Sequence, residues 1–509
     1  MFTPEKVIVV GIDGATFDII DELSSRGRLP NISEIMKKGV SGRLKSTIPM
    51  ISATAWTSFS TGMNPGRHGI YDFVNKVKNE YRFSVTSAMD RKSKPLWVLA
   101  SEAGKKVCVV GCTLTYPPDE VNGCMISGLG TPNRKGLPAC DYSYPKDIMA
   151  EIEKNVGRYR LTPNVNIKNI SDAMKKEIDE LIDYKARLNT YFFENHLSDF
   201  NMYFFGETDI ASHFFWDDRD FIYNVYEKID RFIGGLLSRR DINIILMSDH
   251  GFTGRDRMFF VDRWLESEGL LASKSTNRFL DKLKSLGHEE DNSLSGIKWD
   301  ETKAFSGRSS SGSVFINLKG REPSGTVDPS DYEKVCSQIS EKLLMLKDPK
   351  TGLGFVEKVL RKNDIFSGEA LESAPDMVPI FKKGYGVGIK SIEDRHLKDE
   401  FIADSIYWRG DHELHGIFAA SGPVFNEGVR IEGAEIIDIV PTILYLYGMP
   451  INKAMDGRVL DSVFKKDFVA SNPVTLSSED IRTSSTGKHL SSDEQKMIED
   501  SLKNLGYLE

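Results

Sequence analysis

The chain has 509 residues, 40% of them hydrophobic and 10% aromatic, which supplies apolar material for a large core or about three average domains. Its formal net charge is −8 and no Lys/Arg-rich tail or stripe is present, which argues against nucleic-acid binding as its main role. No continuous apolar stretch reaches the roughly 18 residues that would read as a membrane span.

The N-terminal MFTPEKVIVVGIDG lacks the basic start, long apolar run and cleavage site of a signal peptide. It enters a continuous apolar run, Lys6–Ile12, which reads as a buried strand delivering Asp13 at its end. Helices are expected over Thr16–Arg26 and Asn31–Lys38. A Ser/Thr/Gly-rich stretch, Ser46–Phe73, carries Ser52 between small neighbours, with Trp56 and Phe59 as core residues and His68 as a structural histidine beneath the loop. A helix at Pro95–Ala103 leads into a second buried strand, Lys105–Gly111, and Pro117–Tyr159 reads mostly as loop. A long amphipathic helix is expected over Ser171–Glu194, with Ile178, Leu181, Ile182 and Leu188 on one face. The strand Asn201–Phe205, a helix starting near Asp209, a helix over Arg219–Leu237 and the strand Ile242–Met247 follow. This alternation predicts an α/β fold with a mainly parallel central sheet and helices on both faces.

Charge density rises from about Arg255 to Glu400, where a strand at Ser313–Leu318 and a helix at Asp331–Leu346, with a Ser330/Glu333 capping box, are expected. The segment reads as an inserted cap. The expected organisation is a catalytic core over 1–254 and 401–465, a cap subdomain over 255–400, and a polar linker with a C-terminal helix over 466–509. The core resumes at Gly416–Ala420 and continues in a helix at Ile439–Tyr447. The last helix, near Asp493–Leu505, carries a Ser491/Glu494 cap and reads as docked on the core. The five cysteines, Cys108, Cys112, Cys124, Cys140 and Cys336, are odd in number and lack zinc-finger spacing. They fit reduced thiols, and the expected location is cytoplasmic.

Acids and imidazoles recur where strands end. Asp13 closes the first strand, Asp209 and His213 stand i, i+4 on one helix face, Asp249 and His250 follow a strand, and His412 precedes another. Ligands of open parallel sheets bind beyond the carboxyl ends of the strands, so these groups can converge. Carboxylates mixed with imidazoles suit Zn²⁺, and also Mn²⁺ or Fe²⁺; six such groups suit two ions better than one. His415 is as well placed by spacing as His412.

The pieces VVGIDG, ISATAWTSFSTGMNPGRHGIYDF, ETDIASHFFW, LMSDHGF, GDHELHGIFAASGP and DIVPTILYLYGMPINKAMDGRVL occur in one order from about Lys6 to Leu460. Together they resemble the alkaline phosphatase superfamily, in its type I phosphodiesterase/nucleotide pyrophosphatase family, and within that the predicted phosphohydrolase or phosphomutase branch. The resemblance implies an alkaline-phosphatase-like fold and a two-metal phosphoester hydrolase acting on a small phosphorylated substrate of phosphodiester, nucleotide or sugar-nucleotide type. It implies one metal site from Asp209, His213 and His412, and another from Asp13, Asp249, His250 and the hydroxyl of Ser52, which falls at the family's nucleophile. His412 rather than His415 aligns with the family's His-x-x-x-Gly pattern.

The phosphate-binding Asn of nucleotide pyrophosphatases would fall at Phe73, and Asn75 stands two residues later. Asn75, Arg67, Arg308 and Arg409 are the candidate substrate contacts, with Arg255 a further guanidinium near a motif. A sulfatase is excluded, because Ser52-Ala53-Thr54-Ala55-Trp56 lacks the Pro and Arg its nucleophile motif requires. A phosphoglycerate-mutase-like phosphomutase or a phosphomonoesterase is the alternative, and a non-catalytic binding protein the third reading. The large insertion between His250 and His412 favours the phosphodiesterase branch.

Overall fold

The computed structural model describes residues 6–133, 141–163, 170–274, 294, 296–307, 311–388, 401–483 and 489–508. Cys140 and Arg308 lie outside the described residues. The first half of the chain builds β1 (Lys6–Ile12), α1 (Phe17–Ser25), α2 (Pro30–Lys38), β2 (Val40–Lys45), α3 (Ser52–Thr61), α4 (Pro65–His68), β3 (Val74–Lys76), β4 (Phe83–Val85), α5 (Leu96–Glu102), β5 (Val107–Val110), β6 (Gly123–Ile126), β7 (Ser143–Tyr144) and α6 (Ile148–Asn155). Then come α7 (Asp172–Asn195), β8 (Phe200–Phe205), α8 (Glu207–Phe215), α9 (Arg219–Leu236), β9 (Ile242–Met247), β10 (Gly251–Phe259) and α10 (Val261–Ser267).

The later segment contributes β11 (Ala304–Ser306), β12 (Val314–Ile316), α11 (Tyr332–Met345), β13 (Val356–Arg361), β14 (Met377–Phe381), β15 (Gly384–Val387), β16 (Ile402–Asp404) and β17 (Gly410–Glu413). The chain returns to the core with β18 (His415–Ser421), β19 (Val429–Glu435) and α12 (Ile439–Leu446), and a final helix, α13, spans Ser492–Leu505.

The central sheet has nine strands in the order β19-β2-β18-β9-β1-β8-β5-β6-β7. From β9 through β6 every neighbour is parallel, whereas β18 runs antiparallel to both β9 and β2. The apolar runs of β1, β8 and β9 are buried because helices cover both faces, and successive side chains alternate between two cores. Ile8, Val10 and Ile12 point into the core shared with α1, α2, α7, α8 and α9, while Val7 and Val9 face the core shared with α3, α5 and α12. This mixed but mostly parallel sheet is the expected α/β class.

Within the segment 255–400, β11, β12, β14 and β13 form a second, four-stranded antiparallel sheet. Its Phe305, Val314, Ile316 and the α11 residues Ile339 and Leu343 join the same continuous apolar cluster as the first face of the central sheet. β10 links the parts, pairing with β15 in parallel and with β16 and β17 antiparallel.

The structure refines two expectations and corrects one. Most of the described residues of Pro117–Tyr159 are loop, as expected, and the segment also holds the short elements β6, β7 and α6, the two strands being held at the sheet edge. The Ser330/Glu333 capping box does not form. Pro329 starts a 3₁₀ turn through Asp331, so Ser330 lies inside the turn, and α11 begins after Asp331 without a side-chain cap. The strand expected at Ser313–Leu318 is present as the three residues Val314–Ile316, all buried. The Ser491/Glu494 box does form: Ser491 Oγ accepts from the Glu494 N–H at 3.3 Å, and the Ser491 N–H donates to Glu494 Oε2 at 2.9 Å. No helix among the described residues is long and apolar enough to cross a membrane.

Candidate metal centre

β1, β8 and β9 lie side by side and end at one edge of the sheet. Each is followed at once by a short turn or a helix start, so the side chains just beyond them crowd together. Asp13 follows β1, Asp209 and His213 lie on α8 after β8, and Asp249 and His250 follow β9. Because β18 is antiparallel, its entry lies at that same edge, and β17 just before it brings His412. β17 is held there by pairing with β10, with His412 opposite Phe252. Ser52 opens α3 after β2, and its hydroxyl sits 3.4 Å from Asp13 Oδ1 and 3.3 Å from His250 Nε2.

The ligand atoms of Asp13, Asp249 and His250 lie within 4.8 Å of one another, as do those of Asp209, His250 and His412. His213 Nε2 is 3.3 Å from Asp209 Oδ1 and 3.0 Å from His412 Nε2. His250 joins the two groups, 3.3 Å from Asp249 Oδ2, 3.5 Å from Asp13 Oδ1 and 3.9 Å from Asp209 Oδ1. The structure therefore brings all seven sequence-derived candidates, Asp13, Ser52, Asp209, His213, Asp249, His250 and His412, into one cluster.

The chemistry of the set fits divalent cations. Each imidazole has its Nδ1 against a backbone carbonyl: His213 against Gly410 O at 3.1 Å, His250 against Gly251 O at 3.0 Å and His412 against Met50 O at 2.5 Å. A carbonyl only accepts, so Nδ1 carries the N–H and the neutral ring aims its Nε2 lone pair inward. Asp13, Asp209 and Asp249 are buried, and among the described residues no Lys or Arg pairs with any of them. Asp209 Oδ1 and Asp249 Oδ2 have no hydrogen-bond donor. Leaving ionised carboxylates this way costs on the order of several kcal/mol unless positive charge compensates.

Titration follows the same logic. Burial, with Asp249 and Asp209 nearby, pushes Asp13 well above the usual carboxylate range, and burial raises Asp249 as well. Burial alone would raise Asp209, but His213 and His412 outweigh it and hold it low. Burial would lower His412, yet the Asp209 carboxylate outweighs it and raises it above the ordinary imidazole value.

The supporting residues come from distant parts of the chain. The Trp56 indole N–H donates to Asp13 Oδ2 at 3.0 Å while its ring packs in the core. The Gly14 N–H donates to Asp249 Oδ1 at 3.2 Å; Gly14 has φ +67, a left-handed turn. Trp408 stacks on His213 at 4.2 Å, and the Tyr507 hydroxyl donates to Asp209 Oδ2. Burial, then Asp209, pushes the Tyr507 phenol well above its ordinary range, so it keeps the proton it donates. Sequence reasoning missed Trp408 and Tyr507. Tyr507 lies 298 residues from its partner with no motif around it, so no local signal marks it.

The side chains of the described substrate-contact candidates are each engaged by other protein groups. Asn75 Oδ1 accepts from the Tyr71 N–H at 3.3 Å and its amide donates to Gly69 O at 3.0 Å, which closes the turn before β3. Arg67 pairs with Asp456 at 3.0 Å, and Arg409 pairs with Asp217 at 2.6 Å and donates to Ser405 O. Arg255 is buried and donates to Ser405 Oγ, Val387 O and Asp411 Oδ2. His68 is fully buried, taking the Ile70 N–H on Nδ1 at 3.1 Å and donating from Nε2 to Ser58 Oγ at 2.8 Å. His415 lies exposed at the start of β18. A cleft opens beside His213 and His412, walled by Met50, Pro379, Tyr385 and Trp408.

A sheet edge carrying buried carboxylates, inward-facing imidazoles and a hydroxyl at a helix start is the arrangement expected of a phosphoester hydrolase of the alkaline phosphatase type. The chain belongs to the type I phosphodiesterase / nucleotide pyrophosphatase family, whose model matches residues 7–412. Members of this family are typically dependent on divalent metal ions. No curated protein sequence matches the chain.

Among solved structures, murine ectonucleotide pyrophosphatase/phosphodiesterase 5 aligns with a TM-score of 0.52 at 15% identity, covering 91% of this chain and 100% of that one. The human protein of the same name aligns at 0.50 and 14% identity, covering 89% and 97%. An inactive variant of the murine protein in complex with AMP aligns at 0.50 and 15%, covering 87% and 95%. At these identities the likeness speaks for the fold.

Proposed function

We propose that this chain is a two-metal phosphodiesterase that acts through a covalent intermediate on Ser52. The observation that carries the reading is the place of the Ser52 hydroxyl. It is buried at the first position of α3, within 3.4 Å of Asp13 and 3.3 Å of His250, inside a cluster of six acids and imidazoles. One ion would be held by Asp209, His213 and His412, and the other by Asp13, Asp249, His250 and Ser52. The donor set suits Zn²⁺ best, with Mn²⁺ or Fe²⁺ as substitutes. Bound there, the ions would supply Lewis acidity: neutralised phosphoryl oxygens and lowered pKa values for the hydroxyl and for water.

The residues divide the remaining work. No side chain caps α3, so the N–H groups of its first turn are available to a phosphoryl oxygen, and the helix dipole favours negative charge there. Ser52 Oγ forms a bond to phosphorus as the bond to the leaving oxygen breaks. The diester is thereby converted to a seryl phosphodiester and a free alcohol. Water then attacks phosphorus, returns Ser52 as the leaving group and releases the phosphomonoester. The cleft beside His213 and His412 would hold the group that stays on phosphorus and is released as the monoester. Its aromatic and apolar wall suits a ring-bearing group such as a nucleoside, and the murine relative's complex holds such a monoester, AMP.

The test is turnover of a nitrophenyl phosphodiester and the matching monoester by metal-reconstituted protein, with Ser52→Ala and its metal content measured alongside. Diester preference that vanishes in a metal-replete variant supports the reading. Monoester preference, or isomerisation of a phosphoglycerate without free phosphate, would overturn it.

A further inference from the structure

We propose that Tyr507 is a positioning residue for Asp209, so that the C-terminal segment 489–508 completes one of the two metal sites. The inference rests on the two-metal reading above. The Tyr507 hydroxyl donates to Asp209 Oδ2. The other oxygen, Oδ1, is the one that faces the imidazoles, 3.3 Å from His213 Nε2, 3.3 Å from His412 Nε2 and 3.9 Å from His250 Nε2. An aspartate carboxylate rotates in a broad, roughly two-fold well. A donor on Oδ2 fixes that rotation and leaves Oδ1 unshared and aimed at the cluster. A donor to a ligand carboxylate in this way both orients the ligand and tunes it.

The delivery of Tyr507 is built into the end of the chain. Ser491 and Glu494 cap the start of α13, and Glu494 Oε1 also accepts from the Tyr116 hydroxyl at 2.8 Å. Ile498, Leu502 and Leu505 are buried along one face, and α13 packs against β4. Gly506, with φ +85, ends the helix in the left-handed conformation that a side chain resists. That turn reverses the chain, and the Tyr507 N–H bonds back to Leu502 O at 3.0 Å. The ring then lies 5.2 Å from Phe73 and 6.0 Å from His213, with Leu508 buried beyond it. The family match ends at residue 412, so Tyr507 reaches Asp209 from a stretch outside it.

Tyr507→Phe keeps the ring packing and deletes only the donor. Titration calorimetry of Zn²⁺ into metal-free wild type, Tyr507→Phe and His213→Ala tests the inference. Wild type should bind two ions. Tyr507→Phe should bind one about 10- to 100-fold more weakly and the other unchanged, and the weakened site should be the one His213→Ala abolishes. Unchanged binding at both sites in Tyr507→Phe overturns the inference, as does equal weakening at both sites with a lowered melting temperature, which is a purely structural effect. Wild type that binds no ion at all instead overturns the two-metal reading, and this inference with it.

Discussion

Ser52 shows how much one side chain depends on its neighbours. Its hydroxyl meets an acid and an imidazole from two different strand ends, and its helix start faces the same point. Ser52→Ala should reduce diester turnover by at least about a thousandfold, the scale on which removal of a covalent nucleophile acts. Metal analysis of the same sample should still find both ions, because six ligands remain. Trp56→Phe tests the support. It keeps the ring in the core but removes the N–H donor to Asp13 Oδ2, and denaturant unfolding of the metal-free protein should show a loss of about 1–3 kcal/mol. At this scale the cluster residues are legible in the sequence, because each stands next to a strand end or at helical spacing from another. Asn75, Arg67 and Arg409 illustrate the opposite case. A motif neighbourhood says where a residue lies in the chain, whereas Gly69, Asp456 and Asp217, which engage them, are set by tertiary structure.

The elements position the site through close backbone approach. α3 packs so tightly on β1 that a Cβ at Gly11 would lie 2.8 Å from Trp56 Cη2. Gly11→Ala should therefore push α3 outward, costing about 1–3 kcal/mol of stability in a denaturant melt and lowering turnover by displacing Ser52.

His68 ties α4 to α3 through Ser58, and its burial, with a smaller push from Arg91, lowers its pKa from 6.5 to about 3. The unfolded chain binds a proton at this residue below about pH 6.5, and the folded protein only near pH 3. The unfolded state thus holds more protons between those values, and stability falls as pH drops through that window, by up to about 1.4 kcal/mol per pH unit. Denaturant unfolding at a series of pH values, wild type against His68→Gln, should show a shallower fall for the variant. The long elements are legible because their apolar periods run over several turns or a whole strand. β2 is not: its VSGRLK sequence is strand only because β18 and β19 pair with it on both sides.

At the scale of the molecule, the parallel sheet collects acids and imidazoles from residues 13 to 412 and its surroundings add Tyr507 from the far end of the chain. Three buried carboxylates concentrated at one edge make the metal-free fold pay for like charge that cations would relieve. Stripping the ions with a chelator should lower the thermal midpoint, and returning Zn²⁺ should restore it; each site adds about 2.7 kcal/mol when free ion is a hundredfold above its Kd. The order of motifs along the chain makes the fold class and the gathering of acids and imidazoles at one sheet edge legible. The cleft is not, because its wall combines Met50, Pro379, Tyr385 and Trp408, which share no pattern in the sequence.

The most direct measurement is a rapid acid quench of reconstituted protein turning over a phosphorus-labelled nucleotide diester, followed by peptide mapping. The account predicts label on Ser52, formed and lost within the catalytic cycle and absent from Ser52→Ala. Full turnover with no labelled residue, or label on another side chain, would contradict it.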